Sequence, residues 1–341
     1  MQEIVVNSSS SGQKIEKFVK KYLSDAPLGF IYKAFRKKDI KINGHWVKKD
    51  AVVKEGDVVR IYVTDKQLED FKKPRPVAKK EFIYPIVYED NNVLIVDKPA
   101  GVLVYGDKLG NRETLGNAVL DYLYLKGEYD PNNASFVPSP AHRLDRNTSG
   151  LIIYGKTDAA LKELTDIFKE RKDISKYYLT LVKGVLEGSG KIDKPLYKDS
   201  NAGRVYIRSV EKGGKKALTK YKVVENYKDY TLVEAELCTG RTHQLRVHFA
   251  SIGHPIIGDD KYGDFSLNKK ISSLVKLEGQ FLHAYKIEFG TLNGVLSNLS
   301  NKVFISPLSD SYRLMIEKLT KWYKNIFGRK IWITLLITID G

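Results

Sequence analysis

Residues 72–80, KKPRPVAKK, set the organisation of this chain. Two prolines and five positive charges, with almost no bulky apolar side chain, suit neither a helix interior nor a buried strand. The stretch reads as the centre of a basic linker over 65–82. The 341 residues then divide into a small N-terminal unit over 12–64 and a larger body over 83–320, with a tail at 321–341 that has no assigned role. Two domains suit this length at about 100–200 residues each.

The small unit reads as α/β. Over 13–24, Ile15, Phe18, Val19 and Tyr22 recur at helical spacing. Over 29–38, Phe30, Ile31, Ala34 and Phe35 form an apolar stripe, and Lys33, Arg36, Lys37 and Lys38 form a basic face. Asn43-Gly44, between Ile40/Ile42 and Trp46, predicts a hairpin because both turn residues tolerate positive φ. Residues 52–63 predict a further strand pair around Glu55-Gly56-Asp57.

The body predicts short strands at 83–90, 93–97, 151–154, 176–182, 216–224 and 230–237. Helices are predicted at 114–125, 159–170, 243–251 and 314–327. Strands outnumber helices and do not alternate regularly with them. An α+β fold with a mixed, largely antiparallel sheet is therefore expected, and a doubly wound parallel one is not. The apolar stretch 331–340 leads to Gly341 and has no functional reading.

Charge narrows the function. Lys and Arg number 57 against 41 Asp and Glu, a net +16. Residues 1–80 hold 19 of the former and 10 of the latter, so +9 of the excess lies in less than a quarter of the chain. An anionic partner is implied, with nucleic acid ahead of an acidic membrane face. No apolar run approaches the roughly 20 residues that a spanning helix needs, so no membrane partner is expected. The N-terminal residues lack signal-peptide character. The lone Cys238 can form neither an internal disulfide nor a cysteine-based zinc site. A cytoplasmic location fits.

Metal and nucleotide chemistry are not indicated. His243 and His248 are five residues apart, about 140° around a helix, so they share no face. No GxxxxGK[ST] or strand-linked GxGxxG occurs. Two segments are dense in chemistry. In 142–151, HRLDRNTSGL, Asp145 lies between Arg143 and Arg146, and an extended backbone puts Arg143 and Asp145 on one face. In 239–254, TGRTHQLRVHFASIGH, Leu245, Phe249 and Ile252 form a buried helical stripe, and His243, Arg246 and Ala250 line another face. A rigid Arg there suits a carboxylate or a phosphate, and a solvated surface Arg is the plainer alternative.

Together these residues resemble the RluA family of RNA pseudouridine synthases. The resemblance is carried by VDKPAG (96–101), HRLDRNTSG (142–150), KYYLTLVKG (176–184), TGRTHQLRVHFASIGHPIIGDDKYG (239–263) and LHA (282–284). It covers about 83–308. Asp97 stands where the family often has Asn, and Tyr105-Gly106 where a His is common. The N-terminal unit resembles an S4 RNA-binding domain through its helix pair and Arg36-Lys37-Lys38…Ile42-Asn43. The layout is most similar to the RluC-type enzymes of large-subunit ribosomal RNA.

The resemblance implies that Asp145 is the catalytic carboxylate, Tyr178 the active-site Tyr, and Arg246 the partner of Asp145. Arg143 would fill the stack that the target base leaves. The reaction breaks C1′–N1, turns the ring and joins C1′ to C5, so no cofactor is implied. Asp145 would start it by attacking C1′ or by removing a C2′ proton; the residues leave both open. Tyr178, or a base beside it, would take the C5 proton. An Asp–Arg pair ~4 Å apart attracts by about 4 kcal/mol at an effective dielectric near 20, partly offset by desolvation. Flipping the base costs a few kcal/mol. Arg143 would offset part of that by stacking. The implied partner is structured RNA, 23S rRNA or the pre-ribosomal large subunit, and no obligate protein partner is evident. The competing readings are a non-catalytic S4-domain ribosome assembly factor and an RNA hydrolase.

Overall fold

The structure is a computed structural model that describes residues 1–71, 81–106, 113–131, 136–275 and 279–327. In chain order its elements are β1 (Gln2–Val5), α1 (Ile15–Tyr22), α2 (Leu28–Arg36), β2 (Ile40–Ile42), β3 (His45–Trp46), β4 (Val58–Ile61) and α3 (Asp65–Phe71). The body follows with β5 (Ile86–Glu89), β6 (Val93–Lys98), α4 (Leu115–Leu125), β7 (Ser139–Pro140), β8 (Ser149–Gly155), α5 (Asp158–Glu170) and β9 (Ile174–Lys183). Then come β10 (Ser189–Asp193), β11 (Leu196–Asp199), β12 (Arg204–Ile207), β13 (Leu218–Asn226) and β14 (Tyr230–Leu237). The last are α6 (Gln244–Ser251), α7 (Phe265–Ser272), β15 (Leu282–Phe289), β16 (Val303–Ile305) and α8 (Asp310–Phe327).

The N-terminal unit packs α1 and α2 on a sheet of order β1-β4-β2-β3. Ile15, Phe18, Val19, Tyr22, Ile31, Ala34 and Phe35 are buried, as their spacing requires. Asn43 and Gly44 adopt φ of 50° and 82°, which makes the β2–β3 hairpin turn. The strand pair expected at 52–63 does not form. Val52 makes only an isolated bridge to Lys14, and β4 pairs on its two edges with β1 and β2. Part of the expected linker is structured: 65–71 is the helix α3, whose Leu68 and Phe71 lean on this core. The unit therefore reaches from β1 to α3, beyond 12–64 at both ends. The linker's centre, 72–80, lies outside the described residues, as does the apolar stretch 331–340. Residues 321–327 continue α8.

The body is built on a sheet of order β10-β13-β14-β9-β15-β8-β6-β5, with β16 beside β15 and β7 beside β8. Every pairing in it is antiparallel except β15 with β8. This is the expected α+β architecture with a mixed, largely antiparallel sheet. The centre of the sheet is covered on both faces. Leu94, Val96, Ile152 and Tyr154 pack with α4 and α6, while Val93, Ile95, Leu151 and Ile153 pack with α5. Burial on both sides explains why VLIV and LIIY read as unbroken apolar runs.

The two units touch through charge. Lys17 Nζ and Lys21 Nζ lie 2.6 and 3.1 Å from Asp158 Oδ1, on the first residue of α5. Lys21 also sits 4.6 Å from the centroid of the Phe136 ring. This contact ties α1 to the start of α5.

Candidate active site

Three of the sequence motifs meet at one place because the 142–150 segment bonds to each of the other two. The 142–148 loop enters β8, and Leu144 is buried while Arg143 and Asp145 on either side face a cavity. Lys98, at the end of β6, is fully buried and donates to the carbonyls of Pro99, Val102 and Arg146 at 2.9, 2.9 and 3.0 Å. Burial pushes its pKa down to about 7, and the charges of Asp145 and Asp97 act against that. Arg146 Nε donates back to Gly101 O at 3.0 Å. The DKPAG turn is therefore the seat of the Asp145 loop.

The LHA segment holds the other side of that loop. His283 Nε2 donates to Ser306 O at 2.9 Å, so its Nδ1 accepts from Ser149 Oγ at 2.9 Å. Gly150 follows with a φ of 108°, and a Cβ there would lie 2.3 Å from Ala284 O. Only glycine lets β15 come alongside β8 at this point.

The cavity measures about 500 Å³ and is lined by Arg143, Asp145, Tyr178, His243 and Arg246 among others. That is within the roughly 300–1,000 Å³ typical of small-ligand sites. Tyr178 projects from β9 and is 6% exposed. Burial, and then the nearby Asp145 charge, pushes its pKa up, so the phenol stays protonated at neutral pH. Arg143 is exposed at the rim.

Helix α6 corrects the expectation of a two-faced helix. Gln244 through Phe249 are all buried, so its polar side chains are internal and paired. Gln244 Nε2 donates to Leu218 O and Thr219 Oγ1 at 2.9 and 3.0 Å. His248 Nε2 donates to Lys194 O at 3.0 Å. Arg246 is 4% exposed and is no surface residue. Its Nη1 lies 3.5 Å from Asp145 Oδ2, as the expected pairing requires. Its closest partners are others: Nε and Nη2 donate to Asp259 Oδ2 and Oδ1 at 2.7 and 2.8 Å, and Nη2 to Asp260 Oδ1 at 2.7 Å. Burial works against the Arg246 charge, but Asp259, Asp145 and Asp260 outweigh it and push its pKa up. Burial would raise Asp259; the Arg246 bond and charge and the Lys261 and Tyr262 N–H groups hold it below the usual range. The fork is thus gripped from behind, and one nitrogen is left for Asp145.

His243, which the sequence puts on the Arg246 face without a role, also reaches the site. It adopts φ 52° at the start of α6, with Nε2 at 3.8 Å from Asp145 Oδ2 and Nδ1 at 2.8 Å from Tyr262 Oη. Burial lowers its pKa; Asp145 opposes that and Arg246 adds to it, so the ring is neutral at pH 7. The signal for both His243 and Asp259 was their place inside the 239–263 motif. The six histidines do not converge: among the described residues, no three His, Cys, Asp or Glu side chains are placed to hold a metal ion. Lys33, Arg36, Lys37 and Lys38 lie exposed on and just after α2 and do not line the cavity. No helix of the described residues is long and apolar enough to cross a membrane.

An acid, a gripped Arg and a buried phenol in a basic-rimmed cavity define an enzyme for a polyanionic substrate. The family described as RNA pseudouridylate synthase matches residues 92–251. Ribosomal large subunit pseudouridine synthase C of Vibrio parahaemolyticus serotype O3:K6 is 34% identical over 296 residues, covering 85% of this chain and 88% of that protein. The protein of the same name from Escherichia coli strain K12 is 32% identical over 291 residues, covering 84% and 88%. Among solved structures, human RNA pseudouridylate synthase domain containing 4 shares the fold, with a TM-score of 0.54 at 21% identity over 69% of this chain and 92% of that one. The chain belongs to the RNA pseudouridine synthase family, and it is an isomerase that acts on uridine in RNA.

Proposed function

We propose that this chain converts specific uridines of 23S ribosomal RNA to pseudouridine in the cytoplasm, with Asp145 as the group that starts the reaction. The observation that carries this is Asp145 on the cavity wall, with Arg246 Nη1 at 3.5 Å and the neutral His243 ring nearby, its Nε2 at 3.8 Å. The relatives named as large-subunit synthases support the choice of RNA. Asp145 acts at C1′ or at the C2′ proton, and the C1′–N1 bond breaks. The freed base turns, C1′ joins C5, and the C5 proton leaves while N1 gains one. Tyr178, a neutral phenol, shapes the base pocket and can pass that proton only in concert with another base. Arg143 would enter the RNA stack in place of the base, and its exposure at the rim supports that role. Tritium release from 23S transcript carrying 5-tritiated uridine tests the chemistry, and mapping the modified positions tests the substrate. Strand scission in place of tritium release would mean a hydrolase instead.

The N-terminal unit acts as an S4-type RNA-binding module in this reading. Replacing Lys33, Arg36, Lys37 and Lys38 together by Gln should weaken binding to 23S transcript. The slope of log affinity against log salt should flatten by roughly 0.7–0.9 for each lost phosphate contact. Tritium release at saturating RNA should remain. Filter binding over a salt series reads this, and an unchanged slope would leave the basic face as mere solvated surface.

A further inference from the structure

One wall of the cavity carries positive charge that the isomerisation does not use. Arg171 ends α5 with φ 59°, Lys176 lies on β9, and Arg241 lies in the turn before α6. All three line the cavity. Lys176 stands two residues before Tyr178, so their side chains leave the strand on one face, roughly 7 Å apart along it. Among the described residues none of the three has a carboxylate within ion-pair distance. The acids on the same wall are engaged elsewhere: Glu236 pairs with Lys220 at 3.3 Å, and Asp145 faces Arg246 and His243. Arg241 Nε donates only to a carbonyl, Lys216 O, at 3.1 Å.

The three cations also disfavour one another. Burial, then Arg171, pushes Lys176 down to about 8, and burial, then Arg241, lowers Arg171. Like charges held together without a counter-charge raise the energy of the RNA-free protein. An anion entering the site would relieve that cost. Beside them lies an aromatic shelf. Lys176 Nζ is 4.9 Å from the Phe168 ring centroid, and the Phe168 and His142 centroids are 4.6 Å apart. His142 accepts from Ile153 N through Nε2, and burial, then Lys176, pushes it down to about 3, so it stays neutral and adds no charge.

We propose that Arg171, Lys176 and Arg241 form one clasp for a single RNA backbone phosphate next to the extruded uridine, with Phe168 and His142 as the shelf for the adjoining base. Phosphate contacts of this kind set register without reading sequence, and an aromatic face accepts any base. The clasp rests on the reading of the cavity as the uridine site, and it sits beside Tyr178, where the neighbouring nucleotide must pass.

The test compares wild type, Arg171→Gln, Arg241→Gln, Lys176→Met and the triple variant on 23S transcript, by filter binding over a salt series and by tritium release. Each single variant should weaken binding about tenfold and flatten the salt slope measurably, by at most roughly 0.7. The triple variant should flatten it by no more than that, because one phosphate is shared. Release should fall at low RNA and recover at saturating RNA. Met keeps the packing of Lys176 on Phe168 but removes a repelled charge, so Lys176→Met should melt at or above the wild-type temperature without RNA. An unchanged slope, additive losses in the triple variant, or a lowered melt with unchanged binding would each overturn the clasp. Failure of the underlying reading looks different: wild type itself would release no tritium.

Discussion

Asp145→Asn should bring tritium release to background while leaving fold and RNA binding intact. Asn keeps the shape of Asp, and the loop that carries it is held by other groups, chiefly Lys98 on the Arg146 carbonyl and Ser149 on His283. The substitution removes the negative charge, so the side chain can neither attack C1′ effectively nor accept the C2′ proton. A loss of at least 10⁴-fold is expected, on the order of 5 kcal/mol or more in the barrier. RNA affinity rests on phosphate contacts from many basic residues and should hold or tighten slightly as one anion leaves the site. Release and filter binding on the same preparation, with a thermal melt as control, separate the outcomes. Turnover by a deamidation-free variant would sink the catalytic assignment. Loss of binding together with a broadened melt would make Asp145 structural instead.

The elements that were legible in the sequence are those whose signals are local. Asn43-Gly44 carries its own turn chemistry, and α1 and α2 show their stripes over two turns. What failed was partner choice. Glu55-Gly56-Asp57 does make a turn, but Val53 bonds to Gln13 and Gly12 at the entry to α1, and β4 takes β1 instead. Nothing in Gln2–Val5 marks a strand whose partner lies more than fifty residues on. β15 was also missed. The polar His283 is buried within it, and the strand lies between β9 and β8, so neither side gives a clean alternation. At the site, the motif residues Asp145, Tyr178 and Arg246 do converge on one cavity. The two carboxylates behind Arg246 were not assigned, because Asp259 and Asp260 lie in the chain after α6, where no periodicity links them to a helix face and only the tertiary fold brings them to the guanidinium.

Arg246→Lys should be severely damaging although it keeps the charge, and Asp259→Asn should be damaging in a different way. The guanidinium spends three donor contacts on Asp259 and Asp260 and still offers Nη1 to Asp145. A lysine ammonium is a single compact centre and cannot bridge both sides in this geometry. If it stays with the buried Asp259, Asp145 loses its cation. If it moves toward Asp145, Asp259 is left as an unpaired buried charge, a fault that costs about 3–5 kcal/mol. Either way release should fall by at least 100-fold at saturating RNA, since the loss lies in the chemical step and not in binding. Asp259→Asn keeps Arg246 and its charge but weakens the two-pronged grip. The melting temperature should drop, and release should fall through kcat with little change in KM. The same variant at Asp260, which is largely exposed, should leave both nearly unchanged. Full activity in Arg246→Lys would mean that a point charge suffices beside Asp145 and that the fork geometry has no part in the reaction.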